Sequence, residues 1–195
     1  MATQGERRAE TRGRLLDAAA DLFIERGVEG ASIDAIADRA DRTSGAVYAH
    51  FGGKDGLLFA LLDGWVDDAS AVIAAELSTA TTLDERLGVL WRNVSSPVSG
   101  DGRWIALEHE LWSYAARNPD AREHMARRYR GAWNSITEAT HDWTGEWTNV
   151  GPAVIGLLLG LEMMRRIDPG AVPDDLAIDA LRGVVAGTTR RAERR

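Results

Sequence analysis

Arg42, Thr43, Ser44, Tyr48, His50 and Lys54 bring two cations, two hydroxyls, a phenol and an imidazole into one short stretch of a 195-residue chain. Such side chains donate hydrogen bonds to phosphate oxygens and, from a guanidinium or hydroxyl, to the edges of bases. The rest of the sequence offers little for covalent or metal-assisted chemistry. His50, His109, His124 and His141 are the only histidines, and none forms a His-x-x-x-His pair. No Gly-x-Ser-x-Gly elbow occurs, and cysteine is absent, which rules out disulfides and thiolate zinc sites. Nothing calls for a metal or an organic cofactor, and no enzyme is expected.

The donor cluster needs elements to position it. Ile33, Ile36, Ala37 and Ala40 recur at i, i+3, i+4 and i+7, one apolar face of a short helix with Ser32 as its cap. After a hinge at Asp41, Arg42 and Thr43, a second helix begins at Thr43 or Ser44. It turns inward only Val47 and part of Tyr48 and Phe51, while Ser44, Gly45, Ala46, Ala49 and His50 are small or polar. So thin an apolar face builds little core but fits a groove about 12 Å wide. Upstream, Leu15, Ala18, Ala19, Leu22 and Phe23 mark a helix from about Thr11 to the Gly27–Gly30 break.

Leu15, Ala19, Phe23, Gly27, Ser32, Ile36, Ala37, Ala40, Gly45, Tyr48, His50, Phe51, Lys54 and Leu57, in that order and spacing, resemble the N-terminal domain of the tetracycline-repressor family of transcriptional regulators. The resemblance covers roughly residues 11–62. Asp41 stands where the family usually has Gly, and Asp adopts a left-handed backbone at modest cost. Arg42 replaces an apolar residue, and Ala46 replaces a common Thr but keeps a methyl able to meet a thymine methyl. The resemblance implies a DNA-binding set of Arg42, Thr43, Ser44, Ala46, Tyr48, His50 and Lys54. Arg42, Ser44 and Ala46 are assigned to base edges, and Tyr48, His50 and Lys54 to the backbone. It also implies a variable effector pocket and a homodimer built on the last two long helices.

The formal net charge of −7 opposes nucleic-acid binding, and residues 1–60 carry eight Lys and Arg against ten Asp and Glu. Placement matters more than the sum. Arg7, Arg8, Arg12, Arg14, Arg42, His50 and Lys54 gather at the reading end, while Asp17, Asp21, Glu25 and Glu29 lie farther along the first helix. No apolar leader is visible at the N-terminus. The most apolar run, Val150 to Met164, is interrupted by Gly151, Pro152 and Glu162 and is shorter than the roughly 20 residues that span a bilayer. A cytoplasmic protein without a membrane partner is expected.

From Lys54 a long helix carries Leu57, Leu58, Leu61, Leu62, Trp65, Val66, Ala69 and Ile73. Further helices are expected near 83–94, 103–117, 119–140, 148–167 and 173–188, with breaks at 96–102, Asn118-Pro119, Gly145 and Asp168-Pro169-Gly170. The fold expected is all-α: a three-helix helix-turn-helix domain, residues 1–53, followed by a helical effector-binding and dimerisation domain, residues 54–195. Trp91, Trp104, Trp112, Trp133, Trp143 and Trp147 crowd the second part, where large aromatics either fill a core or line a cavity. Trp104, Glu108, Leu111, Trp112 and Ala115 share a helix face. The candidate ligand set is therefore Trp104, Glu108, Trp112, Trp133 and Asn149, with Glu108 orienting a cationic or hydroxyl-bearing ligand.

Val154, Leu157, Leu158 and Leu161, with Leu181 and Val185, are expected at a dimer interface, where Gly156 and Gly160 permit close helix approach. The same Gly-x-x-x-Gly step serves packing within a subunit equally well. The function expected is a homodimeric repressor that binds a palindromic operator in double-stranded DNA and is released by a small apolar or aromatic effector. The alternative is a small-molecule-binding or adaptor protein of the same fold that does not bind an operator.

Overall fold

A computed structural model of the chain describes residues 3–95, 103–144 and 150–192. Its helices are α1 (Gln4–Gly30), α2 (Ile33–Arg39), α3 (Ser44–Phe51), α4 (Lys54–Leu77), α5 (Leu83–Ser95), α6 (Arg103–Arg117), α7 (Pro119–Thr144), α8 (Gly151–Ile167) and α9 (Asp174–Ala192). The fold is all-α, and the described residues contain no strand. The expected breaks at 96–102 and Gly145, and the residues Trp147 and Asn149, lie outside the described residues. So do the side chains of Trp65, Val66, Ala69 and Trp104, whose backbones are helical.

The chain divides into two compact units, Met1–Asp67 with Gly100–Ala126 and Asp68–Ser99 with Arg127–Arg195. The stretch 1–53 falls within the first. There α1 starts about two turns before the expected Thr11, because Thr3 and Glu6 form a capping box. The Thr3 hydroxyl accepts from the Glu6 amide at 3.2 Å, and the Glu6 carboxylate accepts from the Thr3 amide at 2.6 Å. Leu15, Ala18, Ala19, Leu22 and Phe23 are buried as a stripe. Gly27 breaks the helix at φ 74°, a left-handed value that suits glycine, and one more turn follows.

In the same unit α6 packs along α1 and buries Ile105, Leu107, Leu111 and Ala115. Two polar ties reinforce that packing. Arg117 Nε donates to Glu29 at 3.2 Å, and the Tyr114 hydroxyl donates to Asp55, in the first turn of α4, at 2.9 Å. His124, on α7, lies 2.9 Å from Asp63 and stacks on Phe59 with centroids 4.2 Å apart.

The second unit is built on α5, α8 and α9, whose inner faces supply Leu87, Leu90, Trp91, Val154, Leu158, Ala177, Leu181 and Val185. Ile136, Val150 and Val172 join them. Trp91, 1% exposed, fills this core and donates its indole N–H to Asp174 at 2.8 Å. Arg182 reaches from α9 to both oxygens of Asp84, at 2.8 and 3.0 Å. Arg86 donates to the Ala139 carbonyl at 2.6 Å and lies over the Trp143 ring. The α7–α8 junction is tighter still, since a Cβ on Gly151 would sit 2.1 Å from the Trp133 carbonyl oxygen.

Two predictions follow from these contacts. Gly151→Ala must push backbone from backbone and is expected to cost at least about 2 kcal/mol. Gly131→Ala, where the added Cβ meets nothing within 4 Å, is expected to stabilise by about 0.5–1 kcal/mol through helix propensity; denaturant melts of the two variants compare them. In the first unit, burial and then the bond to Asp55 push the Tyr114 phenol up from 10.0 to about 12. The folded state therefore keeps a proton that the unfolded state gives up in that window. Stability is expected to fall as pH rises from 10 to 12, and Tyr114→Phe should lose that component of the fall in thermal melts across the range.

Candidate nucleic-acid interface

Ser32 caps α2 by accepting the Ala35 amide at 3.1 Å. The turn that follows is closed by the Arg42 amide on the Ala37 carbonyl at 2.9 Å, and Asp41 takes φ 54°. This is the left-handed position expected of it, and it starts α3 in a new direction. At the other end Gly52 and Gly53, at φ 76° and 146°, stop α3 and release the chain into α4. The reversal is close, because a Cβ on Gly56 would sit 1.9 Å from the Phe51 carbonyl oxygen. Val47 alone of α3 is fully buried.

The seven residues assigned to DNA divide into outward and inward groups. Tyr48 is 58% exposed, and Thr43, Gly45 and Ala49 are also exposed. Thr43 is the N-cap of α3 but makes no side-chain cap bond. Ala46 and His50 are half-buried, with the His50 ring 6.0 Å from Phe51. Ser44 donates its hydroxyl to Asp34 of α2. Arg42 lies back on the chain, with Nη1 donating to the Asp41 carbonyl at 2.6 Å, Nε donating to Thr11 at 3.3 Å, and Glu10 at 3.8 Å.

Lys54 is engaged most firmly of all. Its ammonium donates to the carbonyls of Val28 at 2.9 Å, Ala31 at 3.2 Å and Glu29 at 3.4 Å. These are carbonyls at the C-terminal end of α1, which have no further turn of helix to accept from and attract a cation. The side chain expected on the DNA backbone thus fastens the start of α4 to the end of α1.

The remaining assignments fall in both units. On α6, Glu108 is half-buried, while Trp112 is 38% exposed and meets His109 edge-on at 5.9 Å. In the second unit Trp133 is half-buried and stacks with Tyr129 at 5.9 Å. Four of the six residues expected at a dimer interface, Val154, Leu158, Leu181 and Val185, are buried in the second unit's own core, and Leu157 and Leu161 pack half-buried against it. Their apolar area is spent inside the chain. The outward positions of the same helices include Gly156, Gly160 and Met164 on α8 and Leu176, Gly183 and Gly187 on α9. Glu138 and His141 stand at i and i+3 on α7, but no group of three or more metal-capable side chains forms among the described residues. No helix among those residues is long and apolar enough to cross a membrane.

The sequence pattern of bacterial regulatory proteins of the tetR family matches residues 15–61, which run from α1 into α4. The chain is 40% identical over 80 residues to the HTH-type transcriptional activator FasR of Mycolicibacterium smegmatis, covering 41% of this chain and 36% of that protein. It is 38% identical over 77 residues to the HTH-type transcriptional repressor KstR2 of Rhodococcus jostii, covering 37% and 38%. The chain thus spans little more than a third of the length of these curated relatives, which are regulators and not enzymes. Among solved structures, the multidrug binding protein EbrR complexed with imidazole is similar at TM-score 0.71 and 26% identity, over 94% of this chain and 97% of that one. A turn pinned at Asp41 and a short exposed helix are what the family pattern selects here: residues 15–61 match the tetR family of bacterial regulatory proteins, and the likeness in fold to EbrR extends along nearly the whole chain.

Proposed function

We propose that the chain is a homodimeric transcriptional repressor of the cytoplasm that binds a palindromic operator and is released by a small apolar or aromatic effector. The observation that carries this reading is the outward presentation of α3. Tyr48, Thr43, Gly45 and Ala49 face solvent, while Ser44, Arg42 and Lys54 hold the helix and its flanks to the rest of the head. A short helix with small outward residues, held at both ends, is suited to lie in a major groove.

Residues 1–53 read DNA and residues 54–195 bind effector and pair the chains. Tyr48 and His50 contact the backbone, Thr43 and Ala46 meet base edges, and Ser44 and Arg42 reach the duplex by exchanging Asp34 and Glu10 for it. Lys54 acts through position, by holding α3 and α4 in register. Pairing uses the outward faces of α8 and α9, where Gly156, Gly160 and Gly183 leave open space for close approach. A two-fold pair would set two recognition helices one helical turn of DNA apart.

Effector release is a pendulum-like shift of α4. The ties from α6 to Glu29 and Asp55 support such coupling, because a movement of α6 pulls on both ends of the α1–α4 junction. Glu108, Trp112 and Trp133, with Trp104 and Asn149, remain the proposed effector contacts. EbrR, with its bound imidazole, is a relative in fold that takes a small aromatic molecule.

Tyr48→Ala is expected to weaken binding to the selected operator at least tenfold while leaving stability within about 0.5 kcal/mol, as for exposed substitutions. Lys54→Met is expected to lower both, with a stability loss of about 1–3 kcal/mol from three carbonyls left without their cation. Anisotropy titrations beside thermal melts separate the cases. A Tyr48→Ala protein that binds the operator normally would remove Tyr48 from the interface, and an intact protein that binds no duplex would move the weight to a ligand-binding protein that does not read DNA.

A further inference from the structure

Glu162 sits in α8 with only 3% of its surface exposed, an uncommon place for a carboxylate. Arg166, one turn on, donates Nε–H to Oε1 at 2.9 Å. The other oxygen, Oε2, is buried and has no hydrogen-bond partner among the described residues. Leu158 and Leu159, at i−4 and i−3 on the same helix face, are themselves buried. A carboxylate oxygen so placed is withdrawn from the surface without a hydrogen bond from the described residues in exchange. Burial pushes the Glu162 carboxyl above its usual range, and Arg166 offsets this only in part.

We propose that Glu162 is an effector-binding residue whose Oε2 accepts a hydrogen bond from the hydroxyl of a neutral, largely apolar small molecule, an inference that rests on the effector-responsive reading above. The charge balance selects a neutral donor over a cation. Arg166 already pairs with Glu162, and Arg165 beside it pairs with Asp174. An ammonium entering this site would lose its hydration without meeting an unneutralised negative charge. A hydroxyl gives up far less hydration and supplies the one donor that Oε2 needs. The residue is absent from the ligand contacts expected from sequence because α8 reads there as an interface stripe, in which a single Glu passes for an exposed interruption.

Calorimetric binding of 1-octanol, 1-chlorooctane and octylammonium to the full chain tests this with three probes of equal length. The ratio of octanol to chlorooctane affinity is expected to be at least about tenfold higher in the wild type than in Glu162→Met, with Glu162→Gln between them. Octylammonium is expected to bind the wild type more weakly than octanol. No difference in ratio between wild type and Glu162→Met, or a preference for the ammonium, overturns the proposal. So does failure of both variants to fold, which would make the Glu162–Arg166 pair a structural element. Operator binding is measured separately on the same proteins. An octanol preference in a chain that binds no operator would sink the regulator reading and leave the Glu162 site standing.

Discussion

The ammonium of Lys54 on the carbonyls of Val28, Glu29 and Ala31 is the constraint on which the reading head depends. A cation at the N-terminus of a helix is poorly placed with respect to that helix's own dipole. Here it is drawn instead to the C-terminal end of α1, where carbonyls lie without intrahelical partners. Gly27 makes the interaction possible, because its left-handed backbone ends the straight part of α1 and adds the short turn that Lys54 caps. Everything between Gly27 and Lys54, both helices of the helix-turn-helix included, is therefore a closed segment clasped at its two ends.

Within that clasp the direction of α3 is set by backbone conformations that few residues adopt readily. Asp41 before it, and Gly52 and Gly53 after it, all have positive φ. Side chains then hold the result, with Ser44 on Asp34 and Arg39 bidentate on Glu25 at 2.7 and 2.8 Å. The ion pairs also bear on the acidic charge of the head. Glu25 is matched by Arg39, and Glu10 by Arg14 at 2.9 Å, so these two carboxylates are offset where they stand, each at the expense of one cation. Exposed pairs of this kind add little stability. Their consequence is local, in the field that a duplex would meet.

Much of the head was legible in the sequence because its signals are local. Ser32 as a cap, Asp41 in the turn and Thr43 before α3 each depend on neighbours within four residues, and the structure has them where expected. The true start of α1 was missed because Thr3 and Glu6 carry a cap without an apolar stripe to announce it. The tie from Lys54 to the end of α1 was not legible for a different reason. Its carbonyls belong to a helix that returns to it only through the fold, and nothing near a Gly-Gly-Lys sequence separates a half-buried staple from a solvated or phosphate-bound amine. The α8 and α9 stripes leave a similar choice: period 3.6 identifies Val154, Leu158, Leu181 and Val185 as an apolar face, but not whether its cover is another part of the chain or a second copy.

Selection of bound duplexes from a random pool by the intact protein at fixed salt is the most direct test of the account. Its central claim is that a clasped α3 is presented to DNA by a two-fold pair of chains. The claim predicts enrichment of one palindrome, with half-sites centred one helical turn apart, about 10 base pairs. No enrichment above the starting pool, or enrichment of a single isolated half-site, would contradict it.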